Sequence, residues 1–250
     1  MYRLKKSLGQ HFLEDENIAR KIVGALPVVP GMQVLEVGPG GGALTRFLID
    51  VPDIRFKAME IDREKIAFLR GRYPDLEGKL FEGDILDEKP PFEGAFNIIG
   101  NFPYNISSQI LFRVLEWKRR VPCMVGMFQK EVAQRIHSGP GSKAYGILSV
   151  LTQAFYRVEY LFEVHENCFT PPPKVKSAVI RLTYLGNPFD ITHEKKFFQL
   201  VKASFNQRRK MLRNPLKQFF PTQMLQSPLF EKRAEELSVS QFADLSKQML

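Results

Sequence analysis

A chain of 250 residues with 44% hydrophobic and 25% charged content can bury a full core, as one large domain or as a domain with a small appendage. It contains no apolar run of membrane-spanning length, its two cysteines (Cys123 and Cys168) show no CxxC spacing, and its four histidines show no HxxxH or HExxH pairing, so no membrane span, disulfide framework or metal site is expected. The net charge of +9 points to a polyanionic partner, nucleic acid or an anionic membrane surface, and the excess is uneven: from Gly186 onward 11 Lys and Arg stand against 6 Asp and Glu.

The N-terminal stretch MYRLKKSLGQHFLEDEN is basic and then acidic without an apolar signal core, so a cytoplasmic protein is expected. NIARKIVGAL places Ile18, Ile22 and Leu26 on one face of an amphipathic helix. Five strand-like runs follow: QVLEVG (33–38), RFKAMEI (55–61), LFEGDI (80–85), FNIIGN (96–101) and MVGMFQ (124–129). Helical patterns at 42–50, 62–72 and 129–138 alternate with them, the last stopped by Gly139 and Pro140. This order predicts an α/β fold, a doubly wound, mostly parallel Rossmann-like sheet. FYRVEYLFEV (155–164) and SAVIRLTYL (177–185) have no helical pattern between them and predict an antiparallel pair at the end of the sheet. After the Gly/Pro linker LGNPFD (185–190), Phe197, Leu200, Val201 and Phe205 fit one helix. Phe242 and Leu245 fit a last one, capped by Ser238 or Ser240. The expected division is a main domain over 1–185 and a helical module over 186–250.

EVGPGGGALT, Glu36 to Thr45, is a Gly-rich turn between the first of these strands and the following helix. Its glycines let the backbone approach a ligand, and the helix N-terminus offers free N–H groups. Gly38, Gly40 and Gly42 match GxGxG, but the loop also matches GxGxxA through Ala43, so it does not separate one adenosine cofactor from another. Glu60 ends the next strand 22 residues after Gly38, where an acid holds both hydroxyls of a ribose. Asp84 ends the third strand and can accept an adenine amino group, and Asn101 ends the fourth. Polar groups at four consecutive strand ends are more than a pyrophosphate site requires.

In IIGNFPYNISSQ, 98–109, an apolar strand is stopped by Pro103, and Ser107 or Ser108 can cap a helix carrying Ile110, Leu111, Val114 and Leu115. The turn therefore lies at the carboxyl edge of the sheet. There the Asn101 amide oxygen and the Phe102 carbonyl can accept both protons of an exocyclic amine while the Tyr104 ring stacks on a base. That is how an enzyme holds an extruded adenine. FTPPPKVKSAV, 169–179, offers Phe169 as a second stacking face, with Lys174 and Lys176 beside it for phosphate.

Taken together, KKSLGQHFLEDENIARKIV, VLEVGPGGGALT, MEID, GDIL, GNFPYNISS, QKEVAQRI with GPGSKAYGILSV, FTPPPKVKSAVIRL and ASFNQRRKMLRN resemble the ribosomal RNA adenine dimethyltransferase family over nearly the whole chain. The resemblance implies S-adenosylmethionine as cofactor and dimethylation of two adjacent adenosines near the 3′ end of small-subunit ribosomal RNA, within the subunit or its precursor, by a monomer. It carries the cofactor site to His11, Leu13, Gly38, Glu60, Asp84 and Asn101, with Tyr104 and Phe169 around the target base. Two residues depart from the family pattern: Phe102 stands where Leu is usual, and His11 where Asn is common. Phe102 is expected to matter little, because its backbone carbonyl carries the role. Arg208, Arg209, Lys210 and Arg213 in NQRRKMLRN are expected to hold RNA by its phosphates, with Arg209 and Arg213 on one helix face. The alternatives are a large-subunit ribosomal RNA methyltransferase of the macrolide-resistance type and a non-catalytic ribosome-assembly factor.

Overall fold

The computed structural model describes residues 11–250; the Lys5–Gln10 part of the first motif lies outside them. The first element is the short strand β1 (Phe12–Leu13), followed by helix α1 (Glu16–Gly24). Asp15 caps α1, its Oδ1 accepting from the amides of Asn17 and Ile18 at 2.9 and 3.1 Å. The helix buries Ala19, Ile22 and Val23, and Ile22 and Leu26 of the expected face lie in the core.

β2 (Gln33–Val37), β3 (Arg55–Glu60), β4 (Leu80–Glu82), β5 (Asn97–Asn101) and β6 (Cys123–Gln129) are the five expected strands. α2 (Thr45–Leu48) lies between β2 and β3, α3 (Arg63–Arg72) between β3 and β4, and α4 (Ser107–Glu116) between β5 and β6, while β4 leads to β5 without an α-helix and α5 (Lys130–His137) follows β6. Pairing is parallel from β4 through β3, β2 and β5 to β6. Ile98 and Ile99 in β5, and Met124, Val125, Met127 and Phe128 in β6, are fully buried, as parallel strands covered on both faces require. β7 (Tyr156–Val164) and β9 (Ser177–Tyr184) complete the seven-stranded order β4-β3-β2-β5-β6-β9-β7, with β9 antiparallel to β6. The strand order reverses between β2 and β5, which places a crevice outside their carboxyl ends.

Three local expectations change. The helix after the Gly-rich turn shrinks to one turn, Thr45–Leu48, because Gly42, Ala43 and Leu44 of the expected range belong to the turn itself. Neither Ser107 nor Ser108 caps α4: Ile106 stands at the cap, and Ser107 Oγ donates back to the Tyr104 carbonyl at 3.2 Å. An additional helix, α6 (Ile147–Gln153), lies in GILSVLTQ.

The chain divides into two compact units, one with the residues up to Ala133 and Glu159–Tyr184, the other with Gln134–Val158 and Leu185–Leu250. The second unit resumes at Leu185, one residue before the expected start at 186, and it also takes Gln134–Val158 with α6, a segment the expected division placed in the main domain. The second unit contains α7 (Glu194–Asn206), α8 (Arg213–Leu216) and α9 (Val239–Lys247). Phe197, Leu200 and Val201 face its core from α7. Ser238, the first of the two expected caps, accepts from the Gln241 amide at 3.2 Å.

Candidate active site

A cavity opens at the carboxyl ends of β2, β3, β4 and β5, over the crevice that the reversed strand order creates. Among its lining residues are His11, Leu13, Gly38, Gly40, Glu60, Asp84, Asn101, Phe102 and Tyr104, so nine expected site residues meet in one place. Phe169 is not among the lining residues. Its side chain is 3% exposed and belongs to the hydrophobic core, because β8 (Phe169–Thr170) pairs antiparallel with β1, Phe169 opposite Leu13. The expected second stacking face is corrected accordingly: Phe169 packs the wall behind the site. Lys174 and Lys176 are exposed on the loop that follows.

The Gly-rich turn is shaped by its acid neighbours. Gly38 and Gly40 have φ of 67° and 57°, a region that favours glycine. Gly40 N–H donates to Glu60 Oε2 at 3.1 Å, and Glu60 Oε1 accepts from the amides of Ile61 and Asp62 at 3.0 and 3.1 Å. The Glu60 carboxylate is buried and holds the turn against the end of β3. Both oxygens keep further lone-pair capacity for ribose hydroxyls. Asp84 accepts from the Leu86 amide at 2.9 Å and is half-buried.

Glu36 and Lys65 also line the cavity, and neither was anticipated. Glu36 is 1% exposed and accepts from Thr45 Oγ1 at 2.7 Å. Burial, reinforced by the nearby Glu60, raises its carboxyl pKa to about 8 against the opposing pull of Thr45. The available signal was an acid inside the otherwise apolar strand QVLEV. Lys65 is buried with its ammonium 5.3 Å from the Phe12 ring centroid; its position in the polar run REK gave no such signal.

On the other side of the cavity, the Asn101 amide nitrogen donates to the His11 carbonyl at 3.2 Å. That bond turns Oδ1 into the free acceptor of the side chain. His11 Nδ1 donates to the Pro171 carbonyl at 2.8 Å, and its ring lies 5.4 Å from that of Tyr104. The Tyr104 hydroxyl is hydrogen-bonded to Ser177 Oγ, a fully buried group at the start of β9. Burial raises the phenol pKa of Tyr104, with Ser177 opposing. Tyr104 is thus a neutral ring held at both ends, which lowers the entropic cost of stacking on it.

The donor set fits S-adenosylmethionine. Two acids, Glu60 and Asp84, line the cavity around the Gly-rich turn, with Glu36 beside them holding a proton that a bound cation would help release; this composition suits a cationic nucleoside better than a pyrophosphate. Among the described residues no group of three or more His, Cys, Asp and Glu could hold a metal.

The basic tract differs from its expected shape. α7 ends at Asn206 and α8 begins at Arg213, so Arg209 and Arg213 do not share a helix face. Arg208 is turned inward: Nε donates to Glu235 Oε2 at 2.5 Å, and Nη2 donates to the carbonyls of Ser142 and Lys143 at 3.4 and 2.6 Å. Its guanidinium is spent on the protein, which corrects its expected phosphate role. Arg209, Lys210 and Arg213 are exposed; Arg213 lies 4.0 Å from Glu231 across solvent.

Comparison with known proteins gives a consistent result. The family described as ribosomal RNA adenine dimethylase matches residues 1–249. The ribosomal RNA small subunit methyltransferase A of Bacteroides thetaiotaomicron is 51% identical, covering 98% of this chain and 93% of that protein. Among solved structures, a dimethyladenosine transferase from Plasmodium falciparum superposes with a TM-score of 0.79 at 25% identity, over 96% of this chain and 99% of the other. The 23S rRNA methyltransferase ErmE gives 0.74 at 25% identity, over 95% and 99%.

Proposed function

The chain belongs to the ribosomal RNA adenine dimethylase family, and from that premise we propose that it dimethylates N6 of two adjacent adenosines near the 3′ end of small-subunit ribosomal RNA. It is an S-adenosylmethionine-dependent enzyme and its substrate is ribosomal RNA. The preference for the small over the large subunit rests on the full-length relatives near 50% identity that carry the small-subunit name, against 25% for the 23S enzyme. The substrate is a small subunit or its precursor, met in the cytoplasm by a monomer. No helix among the described residues is long and apolar enough to cross a membrane.

The observation that carries the catalytic reading is the orientation of Asn101. Its N–H is taken by the His11 carbonyl, so Oδ1 faces a substrate as an acceptor, one residue from the Phe102 carbonyl. Together they accept the two protons of an adenine amine. The amine lone pair is delocalised into the ring, and these bonds favour the geometry in which it becomes nucleophilic. Tyr104 supplies a fixed stacking face for the extruded base. Glu60, Asp84 and the Gly-rich turn hold the cofactor, which supplies an activated methyl group on its sulfonium. Positioning does most of the work, and the mechanism assigns no general base. Because the second methylation begins from an amine with one proton left, one of the two acceptors must be dispensable in that step.

Incubating the protein with S-adenosylmethionine and isolated small or large subunits, then mapping the methylated adenosines, tests this reading. Two adjacent N6,N6-dimethyladenosines near the small-subunit 3′ end are expected; modification confined to large-subunit RNA would overturn it.

A further inference from the structure

The Phe102 side chain is more than a bystander to its carbonyl. Gly100 in β5 and Gly126 in β6 are direct register partners, and the Phe102 ring occupies the notch their missing side chains leave. A Cβ on Gly100 would lie 2.6 Å from Cε1 of Phe102, and a Cβ on Gly126 would overlap Cε2 on the other edge of the ring. Phe128 closes the notch, its ring centroid 5.2 Å from that of Phe102 at an interplanar angle of 67°. The ring is 1% exposed, although it follows directly on the half-buried Asn101, and the Phe102 amide donates to the Met127 carbonyl at 3.3 Å. Ring and amide together anchor the Phe102 Cα, from which its carbonyl projects.

We propose that Phe102 is a positioning residue whose ring, seated between Gly100 and Gly126, sets the direction of the acceptor pair Asn101–Phe102, and that Gly126 is present because the ring at 102 needs its space. This rests on the amine-acceptor reading above. The two glycines are not equivalent. At Gly126 the obstacles are the rings of Phe102 and Phe128, the latter 2.8 Å from the added Cβ, and both can yield if Phe102 shrinks. At Gly100 the backbone carbonyl of Val37 lies 2.7 Å from the added Cβ, and it cannot.

The test is a mutant cycle on the full chain: Gly126→Ala, Phe102→Leu and the double variant, with Gly100→Ala alone and combined with Phe102→Leu. Methyl transfer to small subunits is measured as kcat and KM, cofactor affinity by calorimetry, and stability by thermal melting. Gly126→Ala is expected to lower kcat by on the order of 10- to 100-fold, as a misplaced reacting group does, with KM and cofactor affinity unchanged. Phe102→Leu, which leaves the notch underfilled, should lower kcat by several-fold on the same ground. The double variant should exceed Gly126→Ala in both kcat and Tm, whereas Phe102→Leu should not rescue Gly100→Ala. Independent, multiplicative losses in the double variant overturn the proposal, as does full activity in Gly126→Ala. If Gly126→Ala fails to fold, Phe102→Leu against the double variant decides: the added Ala must raise kcat and Tm, and any other result overturns it. Asn101→Ala, run in parallel, separates the two claims. Wild-type turnover there removes the amine-acceptor reading, while the Tm cycle still reports whether ring and glycine are coupled.

Discussion

Replacing Glu36 with Gln should remove a pH dependence that the wild-type fold cannot escape. The Glu36 carboxyl is pushed from 4.5 to about 8 by burial, which at about 1.4 kcal/mol per unit corresponds to a term of up to roughly 5 kcal/mol. The folded state then keeps a proton that the unfolded chain releases. The contribution is complete below pH 4.5, declines as pH rises, and is fully lost above about pH 8. Gln keeps an acceptor for Thr45 Oγ1 and carries no charge, so Glu36→Gln should match wild type near pH 5 and surpass it increasingly toward pH 9. Allowing for relaxation of the buried site, the gain at pH 9 should be about 2 to 5 kcal/mol. Urea unfolding of cofactor-free protein at several pH values measures it through Trp117, the single tryptophan, which is buried at the end of α4. Parallel pH curves for the two proteins would refute the burial argument. S-adenosylmethionine carries a sulfonium and an ammonium that favour the Glu36 carboxylate, so its binding near pH 7 should release a proton from wild type and none from Glu36→Gln. Calorimetry in buffers of different protonation enthalpy reads that difference.

Glu60→Ala should weaken S-adenosylmethionine by on the order of 2 to 4 kcal/mol, and because Gly40 loses its acceptor, hydrogen exchange at the Gly-rich turn should rise; unchanged affinity by calorimetry would end the ribose assignment. Asn101→Ala should reduce turnover far more than affinity for small subunits, and wild-type turnover at saturating substrate would contradict its role. Tyr104→Ala should cost roughly 1 to 3 kcal/mol in capture of the base, and Tyr104→Phe about 1 kcal/mol through the lost Ser177 bond, both read as kcat/KM. Replacing Arg209, Lys210 and Arg213 with Ala should flatten the salt dependence of binding to small subunits by nearly one log–log unit per lost phosphate contact. Arg208→Ala should instead lower the stability of the second unit with the slope preserved, and a slope reduced by Arg208→Ala would restore it as a phosphate contact.

The parallel strands were legible because burial on both faces leaves short apolar runs, and the site was legible because ligand groups cluster where those runs end. Nine of the expected residues converge on the cavity for that reason. What stayed hidden depends on contacts between distant segments. Phe169 reads as a free aromatic on a proline-rich loop until β8 pairs with β1 and buries it. Arg208 reads as one more cation in a basic tract until Glu235 and the carbonyls of Ser142 and Lys143 claim it. A one-residue notch such as that at Gly126 has no local signature at all, since its meaning lies in a ring 24 positions earlier in the sequence.

The hydrogen bonds from His11 to Pro171 and from Tyr104 to Ser177 also bear on how the enzyme comes into being on its own ribosome. The Gly-rich turn and the acids around it are complete once about half the chain has been made. The wall that orients Asn101, and the tether that fixes the stacking ring, await segments synthesised 160 and 73 residues later. Such long-range closures form after local structure. On that order the Gly-rich turn can take shape early, while the side of the cavity built from His11, Leu13 and Tyr104 closes only once β8 and β9 are in place.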